Sequence, residues 1–194
     1  MTLVADLVEV SSRVASTSLR SAKIRELAST LRTLEPSEIE IAVHYLSGEI
    51  PQGKIGVQYT TVLTAAQVEP AAQATLTLAE LDAHLTQIAS TRGTGSAARR
   101  LDLLRDLFAR STTAERDFII RLFAGELRQG ALAGVMLDAI AAAANLPVAL
   151  VRRAAMYAEH LGAVARAALI EGASGLERFQ LQLLAPIAPM LAQT

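Results

Sequence analysis

Residues 96–130 read SAARRLDLLRDLFARSTTAERDFIIRLFAGELRQG, and two helices joined by one turn account for their pattern. Leu101, Leu104 and Phe108 recur at spacings of three and four, which puts them on one face of a helix from Ser96 to Arg110. Thr112-Thr113-Ala114-Glu115 is a capping box. Its threonine hydroxyl receives the amide three residues on, and its glutamate reaches back to the threonine amide. The helix it opens runs to Gly125, a residue suited to the left-handed turn that closes a helix.

The same period extends through most of the chain. Leu3, Leu7 and Val10 share a face of a first helix, Leu3 to Val14, and Ile24, Leu27 and Leu31 share a face of a second, Leu19 to Leu31. Pro36, a favoured first-turn residue, opens a third that stops at Gly48. Three glycines and a proline make residues 48–59 an extended loop, followed by a short helix over 61–67 and a linker over 68–75. A second capping box, Thr77 to Glu80, starts a helix ending near Ser90. Beyond the loop at 125–130, helices fit residues 134–144, 147–160 and 161–171, and one more short apolar helix follows GASG, residues 172–175. The expected fold is all-α, with about 10–12 helices.

Composition agrees. Alanine and leucine, the strongest apolar helix formers, supply 37 and 29 of the 194 residues, while aromatics are only 4%. Strands draw on Val, Ile, Thr and aromatics rather than on Ala and Leu, so a sheet-rich fold is not expected. Its 52% hydrophobic content and net charge of −1 argue against disorder, and with no cysteine there is neither a disulfide nor a thiolate metal site. The first residues, MTLVADLVEVSS, carry Asp6 and Glu9 without a basic start, unlike a secretory signal. The apolar run from Ala131 to Leu150 is interrupted by Asp138, Asn145 and Pro147, which suits two buried helices better than a membrane span. A soluble, cytoplasmic protein with no membrane partner is expected. The sequence pI of about 6.3 excludes a broadly basic surface, so any nucleic-acid footprint must be local.

An internal repeat organises the pattern. YLSGEIPQG at 45–53 aligns with LFAGELRQG at 122–130, an offset of 77, so Gly48, Glu49, Gln52 and Gly53 match Gly125, Glu126, Gln129 and Gly130. Upstream, Glu38 matches Glu115, and Ile24, Leu27, Leu31 match Leu101, Leu104, Phe108. Two copies are too few for a long solenoid. They imply a two-lobed domain with a pseudo-two-fold repeat, its halves at roughly 19–67 and 96–144.

Catalytic motifs do not emerge. His44, His84 and His160 lie far apart and outside any metal-ligand spacing, and Ser174 in GASG lacks the spacing of a nucleophile elbow. Asp102 and Asp106 sit one helical turn apart, where Asp106 can pair with Arg110 on a solvated face. Neither lysine follows a phosphate-binding glycine loop. What remains is a set of glycine-bounded turns with cations. Gly125 to Gly130 carries Arg128, a planar donor fork, and Gly48 to Lys54 presents a similar glycine-bounded turn with Lys54 as its cation. Thr94-Gly95-Ser96 opens a helix followed by Arg99 and Arg100, where free amides and the helix dipole favour an anion. Each turn taken singly reads first as a helix cap beside a solvated cation, and the duplication shifts that balance. As a duplicated pair they suit two phosphates, one on each strand of a duplex. These loops lack aromatics, so contact with sugar and phosphate is expected rather than base stacking.

GTGSAARRLDLLRDLF followed by TTAERDFIIRLFAGELRQG resembles the N-terminal DNA-binding domain of ATP-dependent DNA ligases. There a small-residue loop opens one helix and a Glu-led helix ends in a GxLRxG turn. IAVHYLSGEIPQGKIGVQY resembles the earlier counterpart, and PIAPMLA, residues 186–192, is similar to the P-x-x-P-M-L-A junction with the adenylation domain. The resemblance thus covers essentially the whole chain. The Ala- and Arg-rich, Lys-poor composition points to a bacterial member from a GC-rich genome.

The resemblance implies a helical DNA-binding domain over 1–185 and, over 186–194, a linker toward an adenylation domain outside the chain. It implies a monomer that grips nicked double-stranded DNA across the minor groove, while the full enzyme seals the nick with ATP and Mg. Carried over by position, the DNA contacts are Gly125, Arg128 and Gly130, then Gly48, Gly53 and Lys54, then Thr94, Ser96 and Arg100. Pro51 replaces the arginine in the first loop, and Glu126 makes the second less basic than the family pattern. The family's catalytic lysine stands in KxDG; Lys23 precedes Ile-Arg-Glu and Lys54 precedes Ile-Gly-Val, so neither matches. This chain alone is therefore expected to be inactive and to hold no cofactor. The competing expectation is a helical-repeat scaffold that binds protein and has no nucleic-acid role.

Overall fold

A computed structural model describes residues 1–127 and 132–181. Arg128 and Gly130 of the expected contacts, and the junction at 186–194, lie outside the described residues. Among those described, the fold is all-α, with ten helices. They are α1 (Val4–Ser16), α2 (Arg20–Thr33), α3 (Ile39–Leu46), α4 (Tyr59–Ala65), α5 (Leu78–Ser90), α6 (Ser96–Ala109), α7 (Thr113–Ala124), α8 (Leu132–Ala144), α9 (Val148–Tyr157) and α10 (Leu161–Leu176). None is long and apolar enough to cross a membrane.

The chain forms two compact units, one of Met1–Ser12 with His44–Gln129 and the other of Arg13–Val43 with Gly130–Thr194. Each therefore draws helices from both repeat stretches. In the first unit α4 packs on α6 and α7, and α5 packs on α6. Of the α6 face predicted from residues 96–130, Leu104 and Phe108 are buried and Leu101 is half-buried, while Leu107, Phe118, Ile119 and Leu122 complete this part of the core. The extended start of the chain is tied to the segment before α5, the Val4 amide donating to Leu76 O (2.9 Å) and the Leu78 amide to Thr2 O (3.0 Å).

Both capping boxes form. Thr77 Oγ1 accepts from the Glu80 amide and Thr112 Oγ1 from the Glu115 amide, while each glutamate accepts from its threonine amide, at 2.9 and 2.8 Å respectively. Arg110 does not pair with Asp106 as expected. Its Nη2 reaches Glu80 Oε1 at 2.5 Å, and Asp106 instead faces His84 Nε2 at 3.1 Å. The Thr77 amide, then its hydroxyl, then Arg110 draw the Glu80 carboxyl from 4.5 down to about 2. A depressed folded-state pKa supplies stability above the unfolded value and loses it as pH falls through the folded one. Glu80→Gln should therefore melt below the parent protein at pH 7, with the gap closing between pH 4.5 and 2. Thermal melts across that range check this, and a gap independent of pH would refute it.

In the second unit α8 lies along α2, and α9 and α10 pack on α8 and on each other. Buried alanines at 28, 139, 141, 165, 167 and 168 keep these helix surfaces low, which permits close approach. Arg32 donates to Ala142 O (2.5 Å) and Ala143 O (3.2 Å). It thereby satisfies carbonyls at the end of α8 and sets a cation at the negative pole of the helix. Asp138 accepts from Arg20 (2.8 Å) and Arg152 (2.9 Å).

Several helix ends shift by one to three residues from the sequence expectation, as at α4 (59–65 against 61–67) and α9 (148–157 against 147–160), and two differences have a visible cause. Residues 36–38 are a turn and the regular helix α3 begins at Ile39. The Glu38 amide bonds Glu35 O at 2.8 Å and its carboxylate accepts the Glu35 amide at 3.2 Å, a tighter closure than an α-helical first turn. At the other end, the stop expected after 171 is a kink. Gly172 turns to φ +66°, ψ −145°, yet α10 continues to Leu176. The short helix expected after GASG is absent from residues 177–181, and the rest of that stretch lies outside the described residues.

Candidate nucleic-acid interface

The first unit holds every described residue of the expected contact set. α3 closes at Gly48, φ +77°, with the Gly48 amide on Tyr45 O (3.0 Å) and the Glu49 amide on His44 O (2.9 Å). α7 closes at Gly125, φ +65°, with the Gly125 amide on Leu122 O (3.1 Å) and the Glu126 amide on Arg121 O (3.0 Å). The same bonds thus join residues that correspond at the 77-residue offset. Glycine suits both positions because side chains crowd the carbonyl in a left-handed turn.

The two turns touch. A Cβ placed on Gly48 would lie 3.2 Å from Leu127 Cβ and 3.4 Å from Leu127 O. Leu127 is buried, whereas Gly125 and Glu126 are exposed. Beyond Gly48, Gln52 anchors the loop by donating to Asp82 Oδ1 (2.7 Å) and Thr86 Oγ1 (2.9 Å) of α5. Tyr45 donates to the same carboxylate oxygen at 3.3 Å. Burial first, and the Asp82 charge second, push the Tyr45 phenol far above its ordinary pKa, so it remains a donor. With Gln52 fixed and Ile55 buried, Gly53 and Lys54 between them face solvent. Lys54 borders a shallow cleft of about 440 Å³ walled by Ile50, Ile55, Val57 and Phe123.

The third expected element is the start of α6. Gly95, φ +77°, occupies the cap position; no side chain caps the helix, and no acid stands in its first turn. Thr94 is exposed and Ser96 half-buried. Uncapped amides and the positive end of the dipole make this end receptive to an anion. Arg99 is exposed, but Arg100 is turned inward and held by the protein itself. Its Nη1 donates to Gly56 O (3.0 Å), its Nη2 to Thr91 O (2.6 Å) and its Nε to Ile88 O (3.3 Å). That role escaped the sequence reading, because backbone carbonyls of distant residues leave no sequence signature. The anchoring by Gln52 had a signal, its match to Gln129 in the repeat.

No alternative centre competes among the described residues. No group of three His, Asp or Glu side chains could hold a metal ion. Each histidine is engaged: His44 with Glu49 at 3.1 Å, His84 with Glu80 O at 3.0 Å, and His160 at the start of α10, accepting from the Ala163 amide at 3.1 Å.

The model for "DNA ligase N terminus" matches residues 62–141. The chain is 49% identical to a "Probable DNA ligase" of Sorangium cellulosum over 193 residues, 99% of this chain and 36% of that relative. It is 50% identical to one of Anaeromyxobacter dehalogenans over 194 residues, 99% of this chain and 38% of the relative. For one of Rhodococcus opacus the identity is 47% over 190 residues, 98% of this chain and 38% of the relative. This chain thus spans rather more than a third of the length of the relatives it matches. Residues 62–141 are thus similar to the DNA ligase N terminus, and the chain as a whole is similar to part of several probable DNA ligases.

Proposed function

We propose that this chain is the DNA-binding part of an ATP-dependent DNA ligase, gripping nicked duplex through sugar and phosphate across the minor groove. The observation that carries the reading is the gathering, in one unit, of two abutting glycine turns, exposed Lys54 and the uncapped start of α6. These elements offer backbone amides and isolated cations, which fix position on a duplex without reading bases. The near-zero net charge fits a grip made at a few points rather than a basic face. Gly48, Gly53 and Lys54, Thr94 and Ser96, and Gly125 are the proposed contacts among the described residues, with Arg128 and Gly130 proposed from sequence alone.

In this reading the parent enzyme joins a 5′-phosphate to a 3′-hydroxyl using ATP and Mg, acts in the cytoplasm and works as a monomer. Residues 1–185 are its DNA-binding domain, and 186–194 lead toward the adenylation domain. The described residues do not suit the nucleotide or metal, since neither lysine stands in KxDG and no carboxylate cluster forms, so that chemistry is assigned to other parts of the parent. The 77-residue correspondence is read as a pseudo-two-fold repeat that presents equivalent turns to the two strands.

Titrating the chain with nicked and intact duplexes at several salt concentrations tests the reading. Phosphate-dominated binding must fall linearly in log K against log salt. Lys54→Gln should weaken binding to any sequence alike and make that slope shallower by about one. Absence of duplex binding at low salt would overturn the proposal.

A further inference from the structure

We infer that Arg100 acts as a brace that sets the position of the Lys54 loop, and not as a phosphate contact in its own right. The inference rests on the reading of Lys54 as a DNA contact and adds a positioning residue to it. All three nitrogens of the Arg100 guanidinium are committed to carbonyls, Ile88 and Thr91 at the end of α5 and Gly56 in the loop that carries Lys54. One planar group thus joins two segments that are remote in sequence, on a helix whose own start is the third proposed contact.

Gly56 supplies a second observation. Its φ is +73°, and a Cβ there would lie 3.1 Å from Arg100 Nη1 and 3.3 Å from Cζ. The guanidinium therefore lies against the bare Cα of Gly56 as well as bonding its carbonyl. A lysine could supply the charge but not the fork, because its donors all sit on one nitrogen, whereas here three separate nitrogens each reach a different carbonyl. Neighbouring Arg99, exposed and one residue earlier, is the side chain on this turn that remains available to an anion.

The test uses the 194-residue chain with Arg100→Lys, Arg100→Gln and Gly56→Ala beside Lys54→Gln. If Arg100 is a brace, both Arg100 variants and Gly56→Ala weaken duplex binding by about tenfold while keeping the parent salt slope, in contrast to the slope loss of about one for Lys54→Gln. Amide hydrogen exchange across residues 53–58 should also accelerate in the Arg100 variants, while exchange in α7 and α8 stays at the parent rate. Near-parent binding by Arg100→Lys, with Arg100→Gln losing about one unit of slope, would make Arg100 a phosphate contact and overturn the inference. Exchange at 53–58 unchanged by Arg100→Gln would overturn it irrespective of DNA. Failure of the parent chain to bind duplex while exchange responds as expected would instead retire the DNA reading and leave the brace standing. Should Arg100→Gln fail to fold, Gly56→Ala carries the same comparison.

Discussion

Phe108→Ala should cost about 3–5 kcal/mol of stability, the range for truncating a fully enclosed aromatic. Phe108 is fully buried in the first unit, on the α6 face with Leu104. Removing the ring forfeits its transfer from water and leaves a void that the surrounding side chains fill only in part. In a domain of this size the loss corresponds to a melting temperature lowered by roughly 10 °C. Phe123 is the comparison. It is half-buried at the wall of the cleft beside Lys54, so its truncation should cost well under half as much. Urea titrations of both variants decide the matter, and a Phe108→Ala loss below about 1 kcal/mol would contradict the placement of this face in the core.

Gly48→Ala should cost about 2–4 kcal/mol, against about 1–2 kcal/mol for Gly125→Ala. The two glycines share a left-handed conformation and the same closing bonds, so the backbone strain of a side chain is common to both. They differ in surroundings. A methyl group on Gly48 meets Leu127 at 3.2 Å, while one on Gly125 meets nothing within 4 Å. The excess therefore measures contact between the two turns. Leu127→Ala should relieve part of it, giving a coupling in the double variant that separated residues do not show. Strict additivity would mean that the turns do not bear on one another. If the duplex reading holds, Gly48→Ala should also weaken DNA binding more than Gly125→Ala, since it displaces both loops.

Legibility from sequence followed the distance over which each feature is determined. The capping boxes at Thr77–Glu80 and Thr112–Glu115 were readable because donor and acceptor lie three residues apart. The turn at Gly125 was readable for the same reason. The start of α3 was misplaced because a single carboxylate, Glu38, tightens the turn after Pro36, a choice that propensity does not encode. Gly172 was correctly marked as a break, but burial of Gly175 and Leu176 carries the helix past it. In the candidate interface, the glycines and Lys54 stood out in the sequence. The pairing of Arg110 with Glu80 and the three carbonyls on Arg100 did not, because they join residues brought near one another only by folding.

The division of the chain bears on how the protein is made. Neither unit is a continuous stretch, and the second closes only when α8 reaches α2, with Arg32 and Ala143 separated by 111 residues. At about 5–20 residues per second, α2 waits roughly 5–20 s on the ribosome before its packing partner is synthesised. During that interval Leu27, Ala28 and Leu31, buried in the finished structure, have no α8 to cover them. Growth temperature, translation rate and chaperone supply are thus expected to govern the yield of folded chain more strongly than the stability of the finished fold.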